Sequence, residues 1–333
     1  MIDLSRRRVL LLGSLATAWL LGGIRPSSAG WLEQWFSRRA STLTSPITPN
    51  EEFYLTSYRS PPTVRLQEWL LSIRGLVERP MTLDYGQLCA RPSVSHVVTL
   101  ECVGNTVAGE YIGTARWEGC SLRSLLEEAG VKSDAVDVVF RAADEYSDSI
   151  PLTRAMAGDV MVAFKMNGVA LPHSHGFPAR MIVPGHYGMK SVQWLTDIEV
   201  VDHDYKGYYA RKGWTDEAVI KITSRIDVPG HGSTLTGLRH KVAGLAFAGT
   251  RGISAVEIRT DEGASWTNAT LEVPVSAASW VFWHYEWIVP KNGSYTLSVR
   301  AADGTGALQS STEQDAAPNG ASGIHEITVT VEG

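Results

Sequence analysis

Residues 97–117 read VVTLECVGNTVAGEYIGTARW, and the first part of the chain is organised around this stretch. Val97 to Leu100 are β-formers that predict a buried strand, and Cys102 follows directly after its end. A thiol at a strand end is presented by a rigid scaffold, and a thiolate is a soft ligand for a transition metal. Taken alone, the stretch favours a simpler interpretation, in which Cys102 is a small apolar core residue. The rest of the chain has to decide between the two.

The composition indicates an ordinary globular protein of two domains. The chain has 333 residues, of which 20% are charged and 44% hydrophobic. Its formal charge of -5, without a basic stripe, argues against a nucleic-acid partner. Its three cysteines, Cys89, Cys102 and Cys120, are too few for a disulfide framework, and no CxxC pair suggests a zinc ribbon. Pairing of Cys89 with Cys120 stays open, but single thiols in the core are the simpler expectation.

The first 29 residues predict an export signal. The sequence SRRRVL at residues 5–10 leads into an apolar run from Val9 to Ile24, and small residues precede Ala29. This pattern resembles a twin-arginine signal, which implies a periplasmic or cell-envelope location and a chain folded around its cofactor before export. A membrane anchor or an ordinary secretory signal are the alternatives. The run is short for a span, which needs about 20 apolar residues, so cleavage is expected.

The region from 51 to 212 reads as an α+β domain that follows a Ser-, Thr- and Pro-rich linker at residues 30–50. Strands are predicted at Glu52–Tyr58, Trp69–Val77, Val97–Leu100, Val136–Phe140, Val160–Lys165 and Met181–Val183. Short helices are predicted at Met81–Leu88 with Thr82 or Asp84 as the cap, at Ser121–Ala129 ending at Gly130, and at Leu152–Ala157. Residues Asp144–Ser149 predict a polar loop.

Basic residues and glycines are interleaved between Leu171 and Trp194. Glycine-rich turns expose backbone amides, and the guanidinium of Arg180 can bind anion oxygens in a bidentate manner. The segment therefore predicts a phosphate-binding site. A set of solvated loop residues is the alternative.

Four motifs in this region point to a known family: ECVGN at 101–105, GTARW at 113–117, HGFPAR at 175–180 and DYKGY at 204–208. In this order and at these separations, they resemble the sulfite oxidase family of mononuclear molybdenum enzymes over nearly all of the mature chain. The resemblance implies an α+β molybdopterin-binding domain with the sulfite oxidase-like fold. Molybdenum and molybdopterin are the cofactors that it implies.

The resemblance also implies roles for individual residues. Cys102 would supply the thiolate to molybdenum, and Tyr205 would act beside the metal, unless it is only a packed aromatic residue. Family members often carry lysine at the position of Gln193, so the nearby Lys190 is expected to supply that charge. The candidate cofactor-binding residues are Tyr54, Tyr58, Asp144, His175, Arg180, Lys190, Ser191, Val192 and Gln193.

Three arginines that form the oxyanion pocket of sulfite oxidases are missing here. This chain has Thr56-Ser57-Tyr58 in place of Arg-Asn-His, Val107 in place of an arginine, and no arginine in Asn319–His325. Each charge-assisted hydrogen bond is worth about 1.5–3 kcal/mol, so this chain should bind a dianion more weakly than sulfite oxidases do. Sulfite is therefore a less secure expectation than oxygen-atom transfer itself.

Residues 213–333 predict an all-β sandwich that resembles the immunoglobulin-like dimerisation domain of the family, which is compatible with a homodimer. The alternating pairs and triplets are Ile220/Ile222, Val256/Ile258, Leu271/Val273/Val275, Tyr295/Leu297/Val299 and Ile327/Val329/Val331. Trp266, Trp280, Trp283 and Trp287 are expected in its core or at an interface, and Thr312–Ser322 reads as a flexible insertion.

The sequence thus predicts an exported molybdopterin oxidoreductase that transfers an oxygen atom in a two-electron reaction, with a sulfur oxyanion or a sulfoxide as the substrate. The chain has no CxxCH haem site and no flavin or ferredoxin-like signature, so electrons would pass to a c-type cytochrome or a membrane haem protein. A sulfoxide reductase of the same family is one alternative. A non-catalytic envelope binding module is the other.

Overall fold

A computed structural model describes residues 44–260 and 265–333. The predicted signal at residues 1–29 and most of the linker at 30–50 lie outside the described residues. The described residues cluster as a single unit, so the first and second parts of the chain pack against each other. Within the described ranges, no helix is both long and apolar enough to cross a membrane.

Strands and short helices alternate in the first part of the chain. In order, they are β1 (Leu71–Gly75), β2 (Met81–Leu83), α1 (Tyr85–Cys89), β3 (Val94–Glu101), β4 (Ile112–Ser121), α2 (Leu122–Ala129), β5 (Asp137–Ala142), β6 (Ser147–Pro151), α3 (Leu152–Ala155), β7 (Met161–Met166), β8 (Val169–Ala170), β9 (Arg180–Ile182) and β10 (Leu195–Val201). One sheet has the order β2-β1-β10-β5-β6, in which β1 and β10 are parallel. The other has the order β3-β4-β7-β8, with β9 paired to β7.

Helix α2 confirms the prediction for Ser121–Ala129. The Ser121 hydroxyl accepts a hydrogen bond from the Ser124 N–H, and Gly130 ends the helix in the left-handed conformation at φ +71°. Leucines at helical spacing, including Leu122 and Leu125, are fully buried. They join the core that the first sheet covers, because the apolar stripe of this helix faces that sheet.

Three predictions in this part were wrong. The helix expected over Met81–Leu88 begins only at Tyr85, with Asp84 as its cap, because Met81–Leu83 pairs with β1 as strand β2. Glu52–Tyr58 is irregular rather than a strand: Phe53 packs into a core cluster, while the backbone makes turns. Residues 147–149 belong to strand β6 rather than to a polar loop. Their polar side chains are buried because each has a hydrogen-bond partner from another part of the domain, as the Ser149 hydroxyl has in the Asp137 carboxylate (3.2 Å).

Two sheets that face each other form the second part. The strands are β11 (Thr223–Val228), β12 (Thr234–Thr236), β13 (Arg239–Phe247), β14 (Ile253–Arg259), β15 (Thr267–Asn268), β16 (Thr270–Leu271), β17 (Val281–Ile288), β18 (Gly293–Asp303) and β19 (His325–Glu332). Their orders are β11-β13-β17-β16 and β12-β19-β18-β14-β15. Trp283 and Trp287 from the first sheet meet Leu297 and Val329 from the second in one apolar core. The predicted sandwich is therefore present.

The details of the sandwich differ from the sequence pattern at two places. Val273 is 94% exposed and Val275 is 52% exposed, so the strand expected over 271–275 ends at Leu271. The insertion expected to be flexible is a hydrogen-bonded loop, in which Gln314 pairs with Ser322 through their backbones (2.9 and 3.2 Å).

Candidate cofactor site

The thiol of Cys102 lies where strand β3 ends in a tight turn. Its backbone N–H donates to the carbonyl of Tyr111 (2.9 Å), and the Gly104 N–H donates to its sulfur (3.4 Å). Burial raises the pKa of the Cys102 thiol, and the charge of Glu101 adds to the rise, whereas Gly104 and Thr56 oppose it through hydrogen bonds. A metal that binds this sulfur would have to displace its proton. Within the described ranges, no cluster of three or more His, Cys, Asp or Glu side chains could hold a metal ion.

Glu101 and Asn105 fix the turn that carries Cys102. The Asn105 amide donates to Glu101 Oε1 and its oxygen accepts from the Tyr111 N–H, both at 3.0 Å. Burial raises the pKa of Glu101 to about 7, and its second oxygen has no hydrogen-bond partner. The turn is thus held by side chains on both sides of the thiol.

Tyr54 joins the thiol to the basic segment. The pKa of its hydroxyl is raised well above 10, first by burial and then by the charge of Cys102, while Arg180 opposes the rise. Cys102 and Arg180 therefore both act on this one hydroxyl. A Cβ on Gly188 would lie 2.9 Å from the Tyr54 oxygen, so glycine is required where this turn approaches the same point.

Arg180 and His175 are buried with incomplete hydrogen bonding. Arg180 donates to the carbonyls of His175 and Ser191, both at 3.0 Å, but its Nε has no partner. His175 Nε2 bonds to the carbonyl of Asn50 (2.8 Å), and its Nδ1 has no partner. No carboxylate of the described residues pairs with Arg180, and burial lowers its pKa to about 10. A buried cation without a counterion fits an anionic group such as a phosphate.

The main chain at 191–193 lies against this pair. The carbonyl of Val192 accepts a hydrogen bond from strand β9 (2.8 Å), and the Ser191 hydroxyl accepts one from the N–H directly after that strand (3.1 Å). A Cβ on Gly176, whose φ is +107°, would lie 3.1 Å from the Cβ of Gln193. The structure therefore brings together the basic residues and the main chain that the sequence predicted.

Lys190 does not share this pocket in the expected way. Its ammonium is buried and lies 2.7 Å from Asp148 Oδ1 and 3.3 Å from Asp216 Oδ1. Two carboxylates already neutralise this charge. The expectation that Lys190 supplies the cation for the phosphate is corrected on this ground.

Tyr205 lies beside strand β6, on the face that carries Ser147 and Ser149. Its hydroxyl bonds to Ser147 (2.8 Å), and its carbonyl accepts from Ser149 (2.7 Å). These serines alternate along the strand with Asp148, which follows Tyr146 by two residues and accepts its hydrogen bond. The charge of Cys102 contributes to the raised pKa of the Tyr146 hydroxyl. The catalytic role of Tyr205 stays a prediction that these contacts do not support.

Two arginines flank the ring of Tyr205. Arg141 and Arg211 lie 5.4 and 5.8 Å from its centroid. Although burial opposes the shift, the hydrogen bonds of Ser147 and Arg211 and the charge of Arg141 lower the pKa of Tyr205. Arg141 also pairs with Glu199 (2.7 Å).

Asp144 and Tyr58, the remaining candidates, lie at the edge of the pocket. Asp144 is buried and accepts a hydrogen bond from the Tyr146 N–H (3.1 Å). The ring of Tyr58 packs 4.2 Å from that of Tyr208. Neither group has a contact that marks it as a cofactor ligand, so both assignments stay predictions.

Two family models match this chain in sequence. Residues 58–209 match the oxidoreductase molybdopterin binding domain, and residues 216–317 match the Mo-co oxidoreductase dimerisation domain. The mitochondrial sulfite oxidase of Drosophila melanogaster is 34% identical over 271 residues, which cover 68% of this chain and 47% of that protein. The chain belongs to the sulfite oxidase family of molybdopterin oxidoreductases.

Other members of the sulfite oxidase family are similar at the same level. The sulfite oxidase of Gallus gallus is 31% identical, covering 76% of this chain and 65% of that protein. The NADH nitrate reductase of Solanum lycopersicum is 29% identical, covering 78% of this chain and 36% of that protein. The chain therefore spans between about a third and two thirds of the length of these relatives.

A solved structure shares the fold of the whole chain. The sulfane dehydrogenase SoxCD of Paracoccus pantotrophus aligns with a TM-score of 0.73 over 92% of this chain and 93% of that one, at 23% sequence identity. The order of the two parts and their mutual packing are thus shared with a known protein at low sequence identity.

The cofactor of the sulfite oxidase family is molybdenum held by molybdopterin, and the residues described above fit it. Cys102 provides a sulfur ligand at a fixed strand end. Arg180 Nε and His175 Nδ1 are buried polar atoms without partners, as expected for groups that bind a phosphate or pterin. These two side chains, together with Cys102, would hold the cofactor.

The sequence interpretation missed the tyrosines around Cys102. The charge of Cys102 contributes to raising the pKa of Tyr146 and Tyr209, after burial as the larger cause, and that of Tyr209 reaches about 12. Tyr209 follows the DYKGY motif directly, so that motif marked its neighbourhood. Tyr146 had a weaker signal, an aromatic residue in a stretch of polar residues.

Proposed function

We propose that this chain is a molybdopterin oxidoreductase that transfers an oxygen atom to or from a sulfur compound and exchanges two electrons with a separate redox protein. The observation that carries the proposal is that a Cβ on Gly188, in the segment after Arg180, would lie 2.9 Å from the Tyr54 hydroxyl and 3.4 Å from the carbonyl of Glu101, the residue before Cys102. A metal ligand and an anion site thus belong to one pocket. The similarity to sulfite oxidases supports a sulfur substrate.

The residues of the pocket have separate tasks. When bound, the molybdenum–pterin group supplies a centre that exchanges an oxygen atom and two electrons with the substrate. Cys102 holds that centre at the end of β3, and Arg180 with His175 binds the anionic end of the pterin. Tyr54 keeps its proton at neutral pH because its pKa is raised, so it can donate a hydrogen bond.

A sulfoxide reductase is the second candidate, and a specific observation favours it. The charged group that acts on Cys102 is the carboxylate of Glu101, and the side chains that feel the thiol include Tyr54, Tyr146 and Tyr209. Hydroxyl donors suit the neutral oxygen of a sulfoxide better than the two charges of sulfite. The pocket also has Val107 where sulfite oxidases carry an arginine.

The location and assembly are part of the proposal. The twin-arginine pattern at residues 5–10 supports export to the periplasm or cell envelope. The match of residues 216–317 to a dimerisation domain supports a homodimer through an immunoglobulin-like sandwich. A c-type cytochrome or a membrane haem protein would accept or supply the electrons.

Metal content tests the proposal directly. The exported chain should contain about one molybdenum per chain by mass spectrometry, and Cys102→Ser should lose one sulfur ligand of that metal by X-ray absorption spectroscopy. Cys89→Ser is the matched control, because this half-buried thiol lies at the end of α1. A metal-free wild type would support a binding module instead. An equal number of sulfur ligands in Cys102→Ser and wild type would remove Cys102 as the ligand.

Substrate direction needs a second measurement. The wild type should either reduce cytochrome with sulfite or oxidise a reduced dye with a sulfoxide. Activity in one assay alone decides between the two candidates. A molybdenum-loaded protein that is inactive in both would contradict a sulfur substrate.

A further inference from the structure

We propose that Tyr146, Asp148, Lys190 and Asp216 form a proton relay between the Cys102 pocket and the protein surface. The proposal rests on the proposed oxygen-atom transfer. Three contacts among these side chains, which come from three separate segments of the chain, carry it.

The inner end of the relay is the hydroxyl of Tyr146. This side chain is only 8% exposed, and its hydroxyl reaches the main chain of Met189, whose side chain packs in one buried cluster with Val103, the residue after Cys102. The hydroxyl donates to Asp148 Oδ2 at 3.0 Å, with the carbonyl of Met189 as a second acceptor at 3.1 Å. The pocket therefore connects directly to a carboxylate.

The middle of the relay is a dry ion pair. The side chain of Asp148 is fully buried and that of Lys190 is 4% exposed, and their charged atoms are 2.7 Å apart. The Ser149 N–H also donates to Asp148 (2.9 Å). His186 is another titratable group on which the charge of Lys190 acts. An ion pair with only a structural role would need no partner beyond Asp148 and Lys190.

The outer end continues to solvent. Lys190 also lies 3.3 Å from Asp216, whose side chain is 31% exposed. Asp216 bonds on its other oxygen to Lys206 (2.6 Å), which is 47% exposed. Lys190 thus joins a buried carboxylate to a partly exposed one. This difference in exposure distinguishes a relay from an ion pair that only stabilises the fold.

The proposed reaction needs such a connection. Oxidation of a substrate S by water follows S + H₂O → SO + 2 H⁺ + 2 e⁻, and reduction of a sulfoxide is its reverse. The electrons pass to or from a one-electron redox protein, while two protons must cross the same buried region. Water is excluded around Asp148, so protons need titratable side chains to cross it.

Each proton can move by exchange of O–H and N–H bonds alone. Tyr146 takes a proton from the pocket as it gives its own to Asp148. Lys190 gives a proton to Asp216 and takes the one from Asp148, and Asp216 releases its proton to solvent. The four groups then carry the same protons as before, and no electron moves along them.

The first test uses the cofactor-free chain. After a rapid drop in pH, infrared spectroscopy follows the carboxylic acid band of Asp148, assigned from Asp148→Asn or, if that variant does not fold, from the shifted band of Asp148→Glu. Asp216→Asn should slow its appearance about tenfold. The matched control Asp204→Asn removes the other carboxylate that binds Lys206, and it should leave the rate unchanged. Equal rates in the wild type and Asp216→Asn would overturn the relay.

The second test uses the loaded enzyme. Asp216→Asn should slow proton exchange with a pH-indicator dye in a single turnover and increase the solvent deuterium isotope effect, with molybdenum content unchanged. Unaltered proton exchange would contradict the relay even if the enzyme is active. A wild type without molybdenum would remove the proposed function, and the infrared result would still decide whether the side chains conduct protons.

Discussion

The segment around Arg180 and the segment around Lys190 each bury a positive charge, but they differ in what lies opposite it. Lys190 meets two carboxylates of the chain, Asp148 and Asp216, whereas Arg180 meets backbone carbonyls and leaves its Nε without a partner. Burial of a charge is costly unless it is paired. The chain completes one site by itself and leaves the other to be completed by a ligand.

This difference predicts its largest effect on the stability of the cofactor-free chain. Lys190→Met leaves the fully buried carboxylate of Asp148 without its cation and should cost about 3–5 kcal/mol in the free energy of unfolding. Arg180→Met removes an unpaired charge, which offsets the two lost hydrogen bonds, so the loss should stay below about 2 kcal/mol. Urea unfolding measures both. Equal losses of stability would show that the chain does not neutralise Lys190 better than Arg180.

An added anion should separate the sites in the opposite sense. Saturating inorganic phosphate should stabilise the cofactor-free wild type by about 1.5–3 kcal/mol, the worth of a charge-assisted hydrogen bond, and should not stabilise Arg180→Met. Thermal unfolding with and without phosphate provides the measurement. Asp216→Asn serves as the control and should respond as the wild type does. A full response in Arg180→Met would place the anion elsewhere.

Packing gives a further test of the Lys190 site. A Cβ on Gly207 would overlap the carboxylate of Asp148, so Gly207→Ala should cost about 1–3 kcal/mol. Gly158→Ala is the control, because no atom lies within 4 Å of its added Cβ, and it should change stability by less than about 0.5 kcal/mol. Unfolding in urea compares the two. A neutral Gly207→Ala would mean that the carboxylate can move freely.

The smallest expected effect is a pH dependence. Although burial opposes it, the hydrogen bond from Lys206 and the charge of Lys190 lower the pKa of Asp216. The folded state therefore binds this proton less readily than the unfolded chain, whose Asp pKa is about 3.9. Its contribution to stability is present above that pH and is lost as the pH falls through the lower folded value. Asp216→Asn should have a flatter acid limb in unfolding experiments, and an identical limb would disprove the linkage.

Local sequence patterns predicted those strands and helices that interactions between neighbouring residues determine. The Cys102 strand and the helix from Leu122 to Ala129 follow from β-formers, leucine spacing and the glycine cap at Gly130. Strand β6 was missed because Asp148 and its polar neighbours are buried by partners distant in sequence. No local pattern indicates such partners.

The candidate site shows the same division. Motif resemblance selected Cys102 and Arg180, and their roles at one cofactor site stay predictions. It assigned Lys190 to the phosphate wrongly. A lysine among glycines gives the same sequence pattern whether its partner is a carboxylate of the chain or a bound phosphate. The contacts near β6 depend on which face each side chain occupies, and one residue of register separates Tyr146, which bonds to Asp148, from Ser147, which bonds to Tyr205.

The edge of the Cys102 strand has a consequence for the order of synthesis. Strand β3 is the outer strand of its sheet, and its free edge is covered from the second domain, where the Ala278 carbonyl accepts from the Thr99 N–H (3.0 Å) and the Trp280 N–H donates to the Thr99 hydroxyl (2.9 Å). A ribosome must therefore translate past Trp280 before this edge can close. The edge beside Cys102 is thus finished only once the Trp280 segment of the second part has been made, and a nascent chain stopped at the domain junction would present an unpaired strand edge.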